Sequence, residues 1–417
     1  MKQQRTFGDI ERFGRYIWRY KLTGTGRALV VTGIVAGLIG HPIQLPILYT
    51  FFALFALGFV ALVVNALLRP RLEITGSFPQ LATAEQPVTG WFTIANRARR
   101  PAYDLAAGYF ATDPALDNEQ SPPAHPRLAP GERVSLPITV RASRRGAYHL
   151  PPLCAYSTFP FSICRAGRKA ALGSHLLVAP SFHPLTGIDV PIGRRYQPGG
   201  IALTSDVGES PEYIGNREYR PGDSPRRIDF KSWARHARPV VREYQEEFYC
   251  RIALVLDTFV AGKRRRPRAG FPQFEAAVSL SASIADALAH GEYIIDLFAA
   301  GPELYVFRAG RHTAHFENIL EILACVDECR DDPFDVVTPA LADELTRIST
   351  VICVFLDWDA RREAMVRSAV EAGCDAKVIV VRDGATTLPP GDVENLTGLP
   401  AVLLSVAAVQ RGGIERL

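Results

Sequence analysis

Cysteine is scarce and unpatterned. The 417 residues hold seven, an odd number without the spacing of a disulfide framework, which excludes a disulfide scaffold and fits a reducing compartment. A surplus of either charge is also missing: 47 Lys and Arg stand against 43 Asp and Glu, for a net of +4. Residues 1–27 hold seven Lys or Arg and two Asp or Glu, so the other 390 sum to −1. The basic character therefore belongs to an arm, and specific nucleic-acid binding, which needs a basic surface, is not expected. No G-x-x-x-x-G-K-[ST], H-E-x-x-H or G-x-S-x-G occurs, so a phosphate loop, a zincin pair and a hydrolase nucleophile elbow are all absent. With 47% hydrophobic and 22% charged residues, the chain is neither disordered nor a polytopic transporter.

One absence organises the N-terminal part. Between Arg27 and Arg69 there is no Lys, Arg, Asp or Glu, a stretch of 41 residues. As one helix it would reach about 61 Å at ~1.5 Å per residue, twice a hydrocarbon core of ~30 Å. It must fold back, and His41-Pro42-Ile43-Gln44-Leu45-Pro46 is the place. The expected spans are about Ala28–Gly40 and Ile47–Leu68. Arg12, Arg15, Arg19, Lys21 and Arg27 precede the first, and Arg69 and Arg71 come after the second. The positive-inside rule then puts both ends in the cytoplasm, a multi-pass protein of the inner cell membrane with its soluble parts cytoplasmic. A cleaved signal peptide is the competing reading, weakened by the long charged leader and the second apolar run.

Beyond Arg71 the chain changes period twice. From Leu72 to about Pro180, short alternating runs such as Gly90-Trp91-Phe92-Thr93-Ile94 are broken by Pro and Gly, the pattern of a β-sandwich of about 100 residues. A Pro/Gly-rich connector leads to the most charge-dense stretch, Arg217–Glu247. From Cys250 the run Ile252–Leu256 ends at Asp257, and strands then alternate with helices: helix 273–290, strand 293–298, strand 351–356 ending at Asp357, helix 361–372 and strand 376–381. A helix between them shows a stripe of Phe316, Ile319, Leu320 and Leu323. Such alternation means a mostly parallel Rossmann-type sheet, with Asp257, Asp357 and Asp359 at the carboxyl ends of strands, where ligands bind in these folds. The expected divisions are a basic arm (1–27), a transmembrane hairpin (28–68), a β module (69–180), a connector (181–249) and an α/β domain (250–417).

Residues 217–247 read REYRPGDSPRRIDFKSWARHARPVVREYQEE. Pro221-Gly222-Asp223 is a turn, and Asp223 or Ser224 can cap a short helix that begins at Pro225. Around it crowd Arg226, Arg227, Asp229, Lys231 and Arg235, with Ile228, Phe230 and Trp233 as the expected apolar anchors. This block resembles the family catalogued as domain of unknown function 58, with Phe230 where that pattern carries Trp. Asn96-Arg97 to Arg100-Pro101, Arg144-Arg145-Gly146-Ala147-Tyr148, Phe159-Pro160-Phe161 and Phe274-Glu275-Ala276 are similar to further parts of the pattern. The resemblance implies a multidomain fold: a two-helix transmembrane hairpin, a β-sandwich, then an α/β von Willebrand factor A-like domain. It also implies association with a MoxR-type AAA+ ATPase in the assembly or maturation of other proteins. No catalytic activity is implied.

An A-type domain holds Mg²⁺ through Asp-x-Ser-x-Ser, hydroxyl and carboxylate oxygens suiting a hard cation. Here Asp257 is kept, but Phe259 and Ala261 stand at the two serine positions, and neither side chain can ligate. Asp357 and Asp359 remain as weak metal candidates. His312, His315, Cys325 and Cys329 form a softer set that suits Zn²⁺, with the two cysteines expected one helical turn apart. Lys263-Arg264-Arg265-Arg266-Pro267-Arg268 can meet lipid headgroups or an acidic partner. The leading expectation is thus a non-enzymatic membrane-anchored adaptor, without cofactor, whose partner surface comprises Arg220, Asp223, Arg226, Arg227, Asp229, Lys231 and Arg235. The alternatives are a divalent-metal-dependent binding domain, or a hydrolase using Asp257, Asp357 and Asp359.

Overall fold

The computed structural model describes residues 14, 16–43, 45–110, 113–118, 124–191, 213–244, 251–260, 267, 270–291, 293–300, 304–307 and 315–417. The protein is a multidomain α/β chain with several sheets, and it divides into two compact units. The first takes residues Met1–His183, Ala261–Ala282 and Glu317–Asp327; the second takes Pro184–Val260, Ser283–Phe316 and Glu328–Leu417.

In the first unit two helices stand in succession, α1 (Gly24–Ile43) and α2 (Leu45–Leu67). They run antiparallel, Leu29 lying beside Gly58 and Phe51 beside Gly37. Helix α1 starts four residues before the expected Ala28 because Thr23 stops it from fraying: its hydroxyl accepts the Gly26 amide at 3.0 Å, the role of an N-cap. Glycine is required at 26, since a Cβ there would lie 2.2 Å from the Ile163 carbonyl oxygen. Residues Ile47–Leu67 are long and apolar enough to cross a membrane, whereas Gly24–Ile39 is a shorter apolar segment. Of the expected turn, Gln44 lies outside the described residues.

Among the described residues eleven strands come next in the same unit: β1 (Leu72–Ser77), β2 (Leu81–Thr83), β3 (Pro87–Asn96), β4 (Ala102–Gly108), β5 (Leu116–Asn118), β6 (His125–Leu128), β7 (Arg133–Ala142), β8 (Gly146–Leu150), β9 (Cys154–Ser157), β10 (Ala166–Lys169) and β11 (Ser174–Ala179). They form three sheets, ordered β1-β3-β7-β5, β10-β9-β4-β6 and β2-β11-β8. A plain sandwich has two sheets; here β2 pairs parallel to β11, which also pairs with β8, and the third sheet results. One core serves all three. Leu136, Ile138 and Val140 alternate inward along β7 and join Phe92, Ile94, Leu105, Leu128 and Leu176.

The second unit opens with a small motif: β12 (Tyr213–Glu218), α3 (Phe230–His236) and β13 (Val240–Tyr244), the two strands pairing antiparallel. Its main sheet has six strands, β14 (Arg251–Leu256), β15 (Ile294–Ala300), β16 (Leu304–Phe307), β17 (Thr350–Phe355), β18 (Asp375–Val381) and β19 (Val402–Leu404). Their order is β16-β15-β14-β17-β18-β19, and every pair is parallel except β15 with β16. The helices interspersed along the chain are α4 (Pro272–His290) and α5 (His315–Cys325), most of whose residues belong to the first unit, and α6 (Phe334–Ala342), α7 (Ala360–Glu371), α8 (Gly391–Thr397) and α9 (Val406–Gln410) of the second. Val255, Cys353, Phe355 and Val378 share one core with Val337 of α6 and Met365 and Val366 of α7. The alternate residues Ile252, Leu254, Ile352 and Ile379 are equally buried, so both faces of the sheet are covered, which is why these strands read as unbroken apolar runs.

Candidate functional site

Counted from Arg251, the strand order is 3-2-1-4-5-6, and the order reverses between β14 and β17. Ligands of doubly wound sheets bind at that switch point, beyond the strand ends. Asp257 and Asp357 lie just past those two strands, yet the three candidate acids do not share one centre. Asp257 is fully buried, and its carboxylate accepts four N–H groups. They are the Phe259 and Leu356 amides, each at 2.9 Å, and Nε and Nη2 of Arg362 at 2.9 and 2.7 Å. Arg362, on α7, is 1% exposed and also pairs with Asp359. Its guanidinium lies over the Phe334 ring at 4.8 Å and 5.9 Å from that of Phe259.

Burial pushes the Asp257 carboxyl up, against the pull of Arg362 and the two amides. Burial likewise opposes the charge on Arg362, but Asp257 and Asp359 hold the guanidinium protonated more firmly than water would. A carboxylate that accepts four N–H bonds facing an arginine is an ionised pair. The side chain at 259, too apolar to ligate a cation, thus stands beside a cation that the protein supplies itself. Asp359 caps α7, accepting the Arg361 and Arg362 amides at 3.1 and 3.0 Å. Asp357 accepts the Thr387 amide and hydroxyl at 2.9 and 2.8 Å and pairs with Arg382 at 2.8 Å. Burial works against it, but these donors and the Trp358 amide hold its carboxyl below the usual range. Among the described residues no group of three or more His, Cys, Asp or Glu is arranged to hold a metal ion. A divalent cation at Asp257 would have to displace Arg362.

The softer set also comes apart. His312 lies outside the described residues, and Cys325 closes α5. Cys329 is past that helix, in a bridge with Phe259, so the two cysteines are not one helical turn apart. Of the basic run 263–268, only Pro267 is within the described residues.

The charged block is better defined. Asp223 and Asp229 point inward, whereas Glu218 is 69% exposed beside Arg238. Asp223 grips Arg217 through two bonds of 2.7 Å and accepts the Arg220 amide at 2.8 Å; Arg217 and then that amide pull its carboxyl down to about 2. Asp229, not Asp223 or Ser224, is the helix cap that counts. It accepts the Lys231 and Ser232 amides, the Ser232 hydroxyl at 2.8 Å and Asn216 Nδ2 at 3.2 Å. Despite burial, these bonds, the Ser232 hydroxyl foremost, bring its carboxyl to about 2. Pro225–Arg227 is a single 3₁₀ turn without a side-chain cap. The cations Arg220, Arg226, Arg227, Lys231 and Arg235 are exposed.

Two expected anchors do not anchor. Phe230 is 68% and Trp233 38% exposed, their rings stacked at 6.0 Å. The strands β12 and β13 are short and bury Val240 and Val241, so the motif has no interior large enough for either ring.

Arg145 carries no such expectation but has a structural role of its own. It is 3% exposed, pairs with Glu275, donates to the Leu323 and Val326 carbonyls at 2.7 and 2.6 Å and covers the Phe274 ring at 4.9 Å. The Arg-Arg-Gly-Ala-Tyr and Phe-Glu-Ala segments, 130 residues apart in sequence, meet at this side chain within the first unit.

A multidomain α/β protein with this block invites comparison. The family described as "Protein of unknown function DUF58" matches residues 215–391, so that segment, less than half of the chain, is similar to the DUF58 family. The uncharacterized protein YeaD of Bacillus subtilis (strain 168) is 24% identical over 160 residues, which are 38% of this chain and 37% of that protein. The match thus spans little more than a third of the relative's length. Among solved structures, the region of Escherichia coli alpha-2-macroglobulin from domain MG7 to the C-terminus is 21% identical. It covers 28% of this chain and 17% of that one, with a TM-score of 0.21. A CARDB domain from Pyrococcus furiosus is 10% identical, covering 26% and 94%, with a TM-score of 0.19. Likenesses this slight carry no argument about the present chain.

Proposed function

We propose that the protein is a membrane-anchored, non-enzymatic adaptor that docks an acidic protein surface onto the 217–235 block, and that its partner is a MoxR-type AAA+ ATPase. The observation that carries this reading is the stacked, exposed Phe230–Trp233 pair set among five exposed cations. Aromatic and arginine side chains are the residues that dominate binding energy in protein interfaces. Asp223 and Asp229 are turned to internal bonds and the exposed Glu218 is paired with Arg238, so the surface the block shows is mainly cationic and seeks an acidic counterpart. The partner's identity rests on the family resemblance alone. The strand order 3-2-1-4-5-6 with one antiparallel edge strand supports a von Willebrand factor A-like module.

The tether is the antiparallel helix pair α1–α2, read as a two-pass hairpin with both ends cytoplasmic. Reporter fusions at Pro42 and at Leu417 test the topology: opposite sides of the membrane support it and a cytoplasmic Pro42 refutes it. Affinity purification of the full chain from its native membrane tests the docking. The ATPase is expected with wild type and lost with Trp233→Ala plus Arg226→Glu. An unchanged partner set would remove the block from the proposal. A metal site or a hydrolase centre at Asp257, Asp357 and Asp359 receives less support, because each carboxylate is spent on protein donors.

A further inference from the structure

The sequence places cations at both ends of its uncharged stretch, and the fold gathers some of them with others from the β module. A cleft of about 480 Å³ in the first unit is lined by Lys21, Arg69, Arg165, Arg168 and Lys169. Among the described residues no Asp or Glu lines it, and none of the five takes part in an ion pair. Backbone bonds create the crowding. The Arg165 amide donates to the Lys21 carbonyl at 2.7 Å, and Leu22 forms a bridge with Cys164, which joins the segment before α1 to the chain entering β10.

Arg165 is held in place from several sides. Its Nη1 donates to the Leu22 carbonyl at 2.9 Å, and its guanidinium lies over Phe110 and Tyr156 at 5.1 and 5.4 Å. Its Nε is buried without an acceptor among the described residues. Five like charges around one cleft repel each other unless an anion joins them, and arginine forks match phosphate oxygens. The volume is of the size that holds a small ligand.

Position selects the source of that anion. Arg69 stands two residues beyond the apolar segment Ile47–Leu67, and Lys21 precedes α1 by three. Tyr16, 46% exposed, lines the same cleft, and Trp18, two residues on, is 42% exposed; exposed aromatics beside cations mark the level of lipid headgroups. We propose that this cleft binds the phosphate of an anionic lipid. The proposal rests on the anchored reading above.

The test uses the full chain purified in a neutral detergent, with binding of dioleoyl-phosphatidylglycerol, dioleoyl-phosphatidylcholine and inorganic phosphate measured by native mass spectrometry and by thermal shift. Phosphatidylglycerol is expected to bind at least about tenfold more tightly than phosphatidylcholine. The preference is expected to vanish in Arg165→Gln with Arg168→Gln and Lys169→Gln. Arg168→Gln with Lys169→Gln alone touches only exposed side chains and is expected to weaken the lipid severalfold while leaving the fold intact. Equal retention of both lipids by wild type, or an undiminished preference in the variants, would overturn the site. Inorganic phosphate stabilising the protein as well as phosphatidylglycerol does would overturn the lipid as its source. Lipid is added to protein already in detergent, so a failed topology test leaves this result standing, and loss of lipid preference leaves the anchor standing.

Discussion

Replacing Arg362 by Met removes a cation from a fully enclosed carboxylate while keeping most of the side-chain volume. Asp257 then loses two charge-assisted hydrogen bonds, of 2.9 and 2.7 Å, each worth about 1.5–3 kcal/mol. The Phe334 ring loses a cation 4.8 Å from its centroid, a contact of about 0.5–2 kcal/mol. Against this, burying Met instead of a guanidinium is favourable. Breaking a buried pair from one side costs about 3–5 kcal/mol as a rule, and about 4 kcal/mol is expected here. The assay is denaturant unfolding of the full chain, read from the fluorescence of Trp358, which is fully buried in the core of the second unit. Arg362→Lys keeps the charge but not the fork, and should recover less than half of the loss. Asp257→Asn combined with Arg362→Met should be less destabilised than the two single effects together, with a coupling of about 2 kcal/mol. A loss below about 1 kcal/mol in Arg362→Met, or no coupling in the cycle, would refute the reasoning.

Asp223 and Asp229 are both held near 2, below the ordinary carboxylate value of about 3.9. Their contribution to the 213–244 motif is therefore complete above about pH 4 and lost as the pH falls through about 2; pepsin cleavage of that segment should rise across this window, and Asp223→Asn should be cleaved readily at its upper end. Arg145→Met strands Glu275 and two carbonyls, and should destabilise the first unit by about 3 kcal/mol in thermal unfolding, with little rescue by Arg145→Lys. Asn65→Leu removes the donor to the Phe159 carbonyl at 2.9 Å, at an expected cost of about 1–2 kcal/mol by the same assay. Calorimetric titration with Mg²⁺ should show no one-site isotherm; a clear one abolished by Asp257→Ala would restore the metal reading.

Strands β14, β15, β17 and β18 of the main sheet were legible because burial on both faces leaves unbroken apolar runs such as Ile252–Leu256, whereas the short β16 and β19 were not; the stripe of Ile319, Leu320 and Leu323 marks α5 plainly. Alternation likewise announced β3. Three-residue strands such as β2 and β5 were not legible, since their pairing is decided by neighbours far along the chain and not by their own pattern. The same reason hides Arg362, whose partner Asp257 is 105 residues away; Asp359 and Arg362 read locally as an ordinary helix start. Phe230 and Trp233 misled in the opposite direction. Aromatic residues in a charged stretch suggest anchors, but anchoring needs an interior, and a two-stranded motif has little to offer. Local bonding was easier to foresee: Pro221-Gly222-Asp223 is the turn that its residues imply, with Gly222 at a φ of 108°, which glycine adopts without strain.

The most direct measurement places a photoreactive benzoylphenylalanine at position 233 of the full chain in its native membrane, with a second chain carrying it at Trp91, which is 62% exposed in the first unit. Irradiation and mass spectrometry then identify what lies against each ring. Crosslinks from position 233 to an AAA+ ATPase, absent from position 91, are the expected result. Position 233 yielding only the products seen at position 91 would contradict the docking of any partner on this block.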